Sequence, residues 1–369
     1  MNGSAHAPSP LEAEIRRRIE AAGPMPVSQY MSMCLTDPKY GYYIARDPLG
    51  ARGDFITAPE VSQMFGELIG IWMSAVWKQM GSPPKVRIIE LGPGRGTLMK
   101  DAMRAAQVVP AFRAAVTLDL VEISPVLREQ QRRTLEPFKI ATAWYNSIND
   151  VPPGPAIIIA NEFFDAIPVS QAVKTETGWH ERCVGITEYG NLTFVLAPEP
   201  LKHIDVLLPK AARDAPVDSI FEWRPDTAAI DLGRRVAQGG TALVIDYGHS
   251  ETDFGDTLQA VGKHAYADPL RDPGEIDLTA HVDFEPLTRA IEAMGAQGYG
   301  PISQSRLLRG LGIETRAMTL KAKATRAQAA EIELALARLV GIGRTGMGEM
   351  FKAAAYAAPS LPPPPAFDL

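Results

Sequence analysis

An acid, Glu90, is followed by glycines at 92, 94 and 96 in the stretch RIIELGPGRGTLMKDAMRAA (87–106), and a second acid, Glu122, lies 28 positions beyond Gly94. Glycines lack a Cβ, so the backbone can turn sharply and a ligand can come close to the N-terminus of the helix that follows. An acidic side chain closing the next strand can accept both hydroxyls of a ribose. Together the spacing points to a nucleoside ligand. The plainer alternative is that the glycines only close a tight turn and that Glu122 caps the helix beginning at SPVLREQ. A dinucleotide fingerprint would need its third glycine at position 97, where Thr97 stands, so a nicotinamide-dependent oxidoreductase is the less favoured reading. A second polar group, Asn161, Glu162 and Asp165 in NEFFDAIP, follows the apolar run PAIIIA and should emerge at the same edge of a sheet.

The elements that must position these residues alternate. VRIIELG, AVTLDLVEIS, ATAWYN, PAIIIANEFF and GTALVIDYG read as strands, with helices from Gly96 and from Pro125 between the first three. Strand and helix taking turns predict parallel strands joined by right-handed crossovers. AIIIA is apolar on both sides, as expected of a sheet covered on both faces. Ahead of this pattern lie a short helix over 11–22 and a strongly apolar helix from about Ser62. Between Gln171 and Pro200 the period falls to two, which predicts antiparallel strands inserted into the parallel core. The stretch 262–284 is too rich in Pro, Gly and Asp for a regular element and reads as a long loop, a wall or lid of a substrate groove. An alanine-rich helix over 326–341 precedes the tail, and both proline-rich ends read as loose extensions.

The chain has 369 residues, 46% hydrophobic, enough for one large core or two smaller ones. A net charge of -6, with no run of Lys or Arg that provides the field phosphate binding draws on, argues against a nucleic-acid partner. Cys34 and Cys183, the two cysteines, lack the spacing of a metal site or a disulfide framework and read as buried thiols. No stretch has the length and apolarity of a signal peptide or a membrane span, and the expected location is cytoplasmic.

ELGPGRG followed by VEIS resembles the first two motifs of class I S-adenosylmethionine-dependent methyltransferases. The ordered blocks GDFITAPEVSQMFGELIG, IIELGPGRGTLMKD, NEFFDAIPV, LVIDYG, DPGEIDLTAHVDF and QSRLLRGLGI narrow the resemblance to the MidA-type methyltransferases, from about Pro26 to Ala354. That family includes a mitochondrial arginine methyltransferase that assists assembly of respiratory complex I. The resemblance implies an α/β fold: a Rossmann-like class I core with a mostly parallel sheet, an N-terminal helical cap and inserted antiparallel strands. The expected division is a cap over 1–84 contributing to the cofactor region, a core of 85–170 and 226–358, an inserted substrate-side segment of 171–225 and a flexible tail of 359–369.

The resemblance also implies S-adenosylmethionine as cofactor and arginine of a protein as acceptor, plausibly in a subunit of the respiratory NADH dehydrogenase. Glu90, Gly92, Gly94, Gly96, Glu122 and Asn161 would serve the cofactor. Glu162 is the first choice for the catalytic carboxylate and Asp165 the second, because a carboxylate both pairs with a guanidinium and accepts its proton. For either acid the alternative is a helix cap or an ion pair. In GDFITAPEVSQMFGE, Thr57 and Gln63 are expected to contact the cofactor, Gly53 and Asp54 to form a turn, and Phe55 and Phe65 to be core. Asp246 could orient substrate or cap a turn, while His281 and Asp283 read as structural. A non-catalytic assembly factor that keeps the cofactor site is the alternative function.

Overall fold

The structure is a computed structural model that describes residues 8–45, 57–208, 214–262, 265–343 and 345–367. It divides into two compact units. The larger comprises 56–164, 226–251 and 282–369. Its sheet contains β1 (Val86–Leu91), β2 (Val116–Val121), β3 (Thr142–Tyr145), β4 (Ala156–Asn161), β5 (Thr241–His249), β6 (Gln297–Ser303) and β7 (Phe351–Ala357). Their order across the sheet is β3-β2-β1-β4-β5-β7-β6. The first five run parallel, while β7 is antiparallel to both β5 and β6. Ile157, Ile158 and Ile159 of β4 are wholly buried, so the continuous apolar run does mark a strand covered on both faces. Strand order reverses between β1 and β4, where crossover connections depart in opposite directions and leave a crevice at the carboxyl ends of the strands. This arrangement is the expected α/β class.

Helix Gln63–Gln79 belongs to this unit and not to an N-terminal cap. Its buried face carries Phe65, Ile69, Trp72, Met73 and Val76, and it lies against helix Thr97–Ala106. Two glycines four residues apart permit that closeness. A Cβ on Gly66 would lie 2.8 Å from the Leu98 carbonyl oxygen, and one on Gly70 would lie 2.4 Å from that of Ala102. Between them Glu67 is buried but held by Arg104 (3.0 Å) and Arg316 (2.7 Å), so its charge is matched where water is excluded. The tail, expected to be loose, is tied to the same helix: the Trp72 indole N–H donates to the Pro365 carbonyl (3.1 Å), and Phe367 joins the core. β6 and β7 were not expected, and β7 completes the sheet where the sequence suggested only a tail after the last helix, Arg326–Val340.

The smaller unit comprises 1–55, 165–225 and 252–281. The strands Ser170–Thr175, Gly178–Ile186 and Leu192–Pro200 are antiparallel as expected, yet they are not inserted into the parallel sheet. They pair with Met25–Pro26 and Ile220–Trp223 in a sheet of their own. The segment expected to be a loop contributes to a three-stranded sheet of Gln259–Gly262, Ala265–Ala267 and Asp277–Thr279. One face of this unit packs Leu11, Ile15, Tyr30, Met31, Leu35 and Leu278. Both cysteines are free and buried.

The glycine contact between the two helices is sharp enough to test. Gly70→Ala places a methyl against backbone that cannot swing aside, and overpacking of this kind costs about 1–3 kcal/mol. Urea unfolding should show a lowered midpoint at unchanged slope; a midpoint equal to that of the parent protein would refute the packing argument.

Candidate active site

The turn after β1 uses backbone that side chains disfavour. Gly92, Gly94 and Gly96 have φ of +61°, +52° and +77°. The Gly92 N–H donates to the Val121 carbonyl (3.0 Å) and that of Gly96 to the Pro93 carbonyl (2.8 Å). A Cβ on Gly92 would sit 3.1 Å from the Phe163 ring, so this turn and the segment after β4 pack closely. Gly96 is the N-cap of helix Thr97–Ala106 and provides no side-chain cap. The Thr97 hydroxyl, at the position that disfavoured a dinucleotide, donates to Glu60 (2.6 Å).

Glu90 is only 3% exposed, and its Oε2 has no hydrogen-bond partner among the described residues. Burial, followed by the charge of Glu122, pushes its pKa up to about 8. Glu122 is also buried and its pKa raised, desolvation outweighing two bonds: Oε1 accepts the Ser124 N–H (2.8 Å) and Oε2 accepts an N–H of Gln131 (3.2 Å). Helix Pro125–Leu135 is capped by the Ser124 hydroxyl, not by Glu122.

At the end of β4, Asn161 donates from Nδ2 to Glu162 Oε1 (3.2 Å), while its buried Oδ1 has no partner among the described residues. Glu162 has φ +50°, a left-handed conformation rare for a residue with a side chain. Its Oε1 also accepts the Ala58 N–H (3.1 Å), and its own N–H donates to Ile245 (2.9 Å). Asp246 is wholly buried at the end of β5. Its Oδ2 accepts the N–H groups of Phe163 (3.2 Å) and Phe164 (2.9 Å), and its Oδ1 that of Tyr247 (3.0 Å). Neither role considered for it, orienting substrate or capping the turn that follows it, is what these bonds describe: they brace the turn after β4, the one that carries Glu162.

The larger unit thus brings Glu90, the three glycines, Glu122, Asn161 and Glu162 to the carboxyl ends of β1, β2 and β4. Thr57 precedes the short helix Ala58–Val61 as its N-cap and makes no side-chain cap bond; Gln63 is exposed at the first turn of the next helix. Phe65 is core, and Gly53, Asp54 and Phe55 lie outside the described residues. Asp283 caps helix Phe284–Glu292 by accepting the Glu285 N–H (3.1 Å), a structural task. Asp165 and His281 fall in the smaller unit, where Arg224 donates to the carbonyls of Ile167 (3.0 Å), Ala280 (2.7 Å) and His281 (2.7 Å). The sequence reading passed over Gln131, which donates to both Glu122 and the Gly94 carbonyl (2.7 Å). Its signal was a glutamine on the apolar stripe formed with Leu127 and Leu135.

A buried carboxylate oxygen awaiting a donor, a turn open to close approach and a second acid beside it fit a ligand that carries both a cation and ribose hydroxyls. Sheet order and site together define a class I methyltransferase. Residues 68–302 match the family described as "Putative S-adenosyl-L-methionine-dependent methyltransferase". The chain is 38% identical to the mitochondrial protein arginine methyltransferase NDUFAF7 of Mus musculus, over 86% of this chain and 77% of that protein. It is 35% identical to the mitochondrial homologue of Drosophila melanogaster, over 85% and 77%. A crystal structure from Burkholderia thailandensis bound to S-adenosyl-homocysteine superposes with a TM-score of 0.81 at 28% identity, covering 96% of this chain and 95% of that one. The chain belongs to the S-adenosylmethionine-dependent methyltransferase family that these matches define.

The mitochondrial relatives overturn the cytoplasmic expectation. That expectation rested on the lack of an apolar leader, and the amphipathic segments that direct proteins to mitochondria have no such feature.

Because the folded pKa of Glu90 exceeds the ordinary 4.5, its contribution to stability without ligand is full below about pH 4.5 and is lost as pH rises through about 8. A cationic ligand favours the ionised form. Binding of S-adenosylhomocysteine near pH 7 should therefore release close to one proton more from the parent protein than from Glu90→Gln, read from calorimetric enthalpies in buffers of different ionisation heat. Equal release by the two proteins would contradict the assignment.

Proposed function

We propose that this protein methylates arginine in a protein substrate, with Glu162 as the catalytic carboxylate. The acceptor proposed from the family resemblance is an arginine of a respiratory NADH dehydrogenase subunit, and the names of the mouse and fly relatives support arginine as the acceptor side chain. The observation that carries the reading is Glu162 itself: a carboxylate fixed in left-handed backbone at the strand-order reversal, oriented by the Ala58 N–H and by Asn161. Strain at such a position is supported by surrounding structure, here the Asp246 brace and the pairing with β5.

Glu90, Asn161 and the glycine turn would hold the amino-acid end of S-adenosylmethionine, and Glu122 its ribose. The cofactor, when bound, supplies a methyl group activated by attachment to a sulfonium. A guanidinium is charged at physiological pH and its nitrogen lone pairs are delocalised. Glu162 pairs with two of its N–H groups, which fixes the plane of the fork and presents one nitrogen. As that nitrogen forms its bond to the methyl carbon, the bond from that carbon to sulfur would break to leave a neutral thioether, and the Glu162 carboxylate would accept the proton the nitrogen sheds. Asp165, the second choice for the catalytic carboxylate, is buried in the smaller unit, and Glu162 alone is proposed to act on the guanidinium.

Glu162→Gln keeps an acceptor for the Ala58 N–H and removes the base. Labelled-methyl transfer should fall by about 100-fold or more, while calorimetric affinity for S-adenosylhomocysteine stays within a few-fold. Undiminished transfer by this variant would end the assignment, and a parent protein that binds the cofactor yet produces no methylarginine would favour an assembly factor without catalysis.

A further inference from the structure

Gln131 is fully buried, and its amide is almost saturated. Trp144 Nε1–H can only donate, and it lies 2.8 Å from Gln131 Oε1, which fixes which end of the amide is oxygen. The Nε2 end therefore faces the Gly94 carbonyl at 2.7 Å and Glu122 Oε2 at 3.2 Å, spending one proton on each. The same residue packs on the turn from behind: a Cβ on Gly96 would be in ordinary contact, 3.6 Å, with the Gln131 Cα. On the main chain Arg128 secures the neighbourhood, donating from Nε to the Glu122 carbonyl (2.7 Å) and from Nη2 to that of Tyr145 (2.9 Å). Leu127 and Leu135, one turn to either side, fill space with apolar groups. A residue needed only for packing would resemble them.

We infer that Gln131 is a positioning residue that locks the Glu122 carboxylate to the glycine turn, so that recognition of the ribose and of the amino-acid end share one rigid frame. The inference rests on the proposed reading of Glu122 as the ribose acid. Its physical basis is geometric. Glu122 Oε1 is tied to the backbone of its own strand end through Ser124, whereas among the described residues Oε2 is tied to the preceding strand's turn through this amide. Without it the carboxylate can rotate about its terminal torsion, where the energy wells are broad. The Gly94 carbonyl and the Trp144 N–H lose their partner as well.

The test uses the full chain, with S-adenosylhomocysteine and its 2′-deoxy counterpart as calorimetric probes. The parent protein should prefer the hydroxylated ligand by about tenfold or more. Gln131→Leu should bind it roughly 10- to 100-fold more weakly, with the preference between the two ligands collapsing to less than about threefold. Combined with Glu122→Gln, its effect on affinity should be markedly less than additive. Gln131→Glu keeps both the volume and the acceptor for Trp144 but sets a carboxylate against Glu122, so its affinity relative to the parent protein should fall from pH 6 to pH 8. A merely structural role would lower the unfolding midpoint of Gln131→Leu and leave the ligand preference intact, which would overturn the inference, as would parent-like binding by Gln131→Glu at both pH values. A parent protein blind to the 2′-hydroxyl would remove the ribose reading of Glu122 and this inference with it, while the methylarginine assay would still judge the proposed reaction by itself.

Discussion

The site is organised by the burial of two acids away from water. Glu90 and Glu122 stand at the ends of adjacent parallel strands, with Leu91 opposite Val121 in the register, and neither has access to bulk water. An ionised carboxylate in such surroundings must find donors or give up its charge. Glu122 has found two. Glu90 Oε2 has none among the described residues, and it yields by holding its proton past neutrality. The fold without ligand thus tolerates a dry acid because that acid is neutral, and a cation at the glycine turn reverses the balance by giving the ionised form its partner.

The surrounding structure keeps that acid in place. Glu90 belongs to β1, paired on both sides by parallel strands whose residues are buried on both faces. Beyond it the chain must leave the sheet at once without covering the crevice, and three glycines in left-handed backbone achieve this. The segment after β4 leaves just as abruptly, through Glu162, and Phe163 then packs against Gly92. The strain at Glu162 is borne by the N–H groups of the two following residues, which Asp246 collects on one oxygen. Turn, carboxylate and brace therefore come from β1, β4 and β5, three neighbouring strands whose ends meet where the order reverses.

The parts of this arrangement that depend on strand ends were legible in the sequence. Apolar runs such as AIIIA announce a strand, its last residue marks the sheet edge, and the polar residues just beyond such runs, Glu122, Asn161 and Glu162, stand at the carboxyl ends of their strands. What was not legible depends on contacts between distant segments. FKAAAYA forms β7, although alanine gives no strand signal, because β5 and β6 supply ladders on both sides. Helix Gln63–Gln79 read as part of a cap, since it precedes the alternating pattern; its buried face and the close approach of Gly66 and Gly70 to a later helix join it to the core. The stretch 262–284 carries turn residues, yet Gln259–Gly262 recruits two short strands from 265–279 to pair with it. Asp246 was balanced between two roles until its amide partners, more than eighty residues away in sequence, were known.

Two glutamates at one sheet edge can then perform opposite tasks, because environment and not residue type decides what a carboxylate does. Glu90 is enclosed, short of donors and held neutral until a cation arrives, which suits recognition of a charged ligand and makes it a poor proton acceptor in its neutral form. Glu162 is half-buried, held by the Ala58 N–H and by Asn161, and carried on backbone that presents it beyond the strand end. Those donors orient the carboxylate while its partial exposure leaves it in contact with solvent. Exchanging the environments would exchange the roles: a donor-rich Glu90 would no longer couple ligand charge to its own ionisation, and a fully enclosed Glu162 would have to be desolvated along with every guanidinium it met. The different burial of these two side chains follows from where they stand: Glu90 lies within β1, and Glu162 lies one residue past β4.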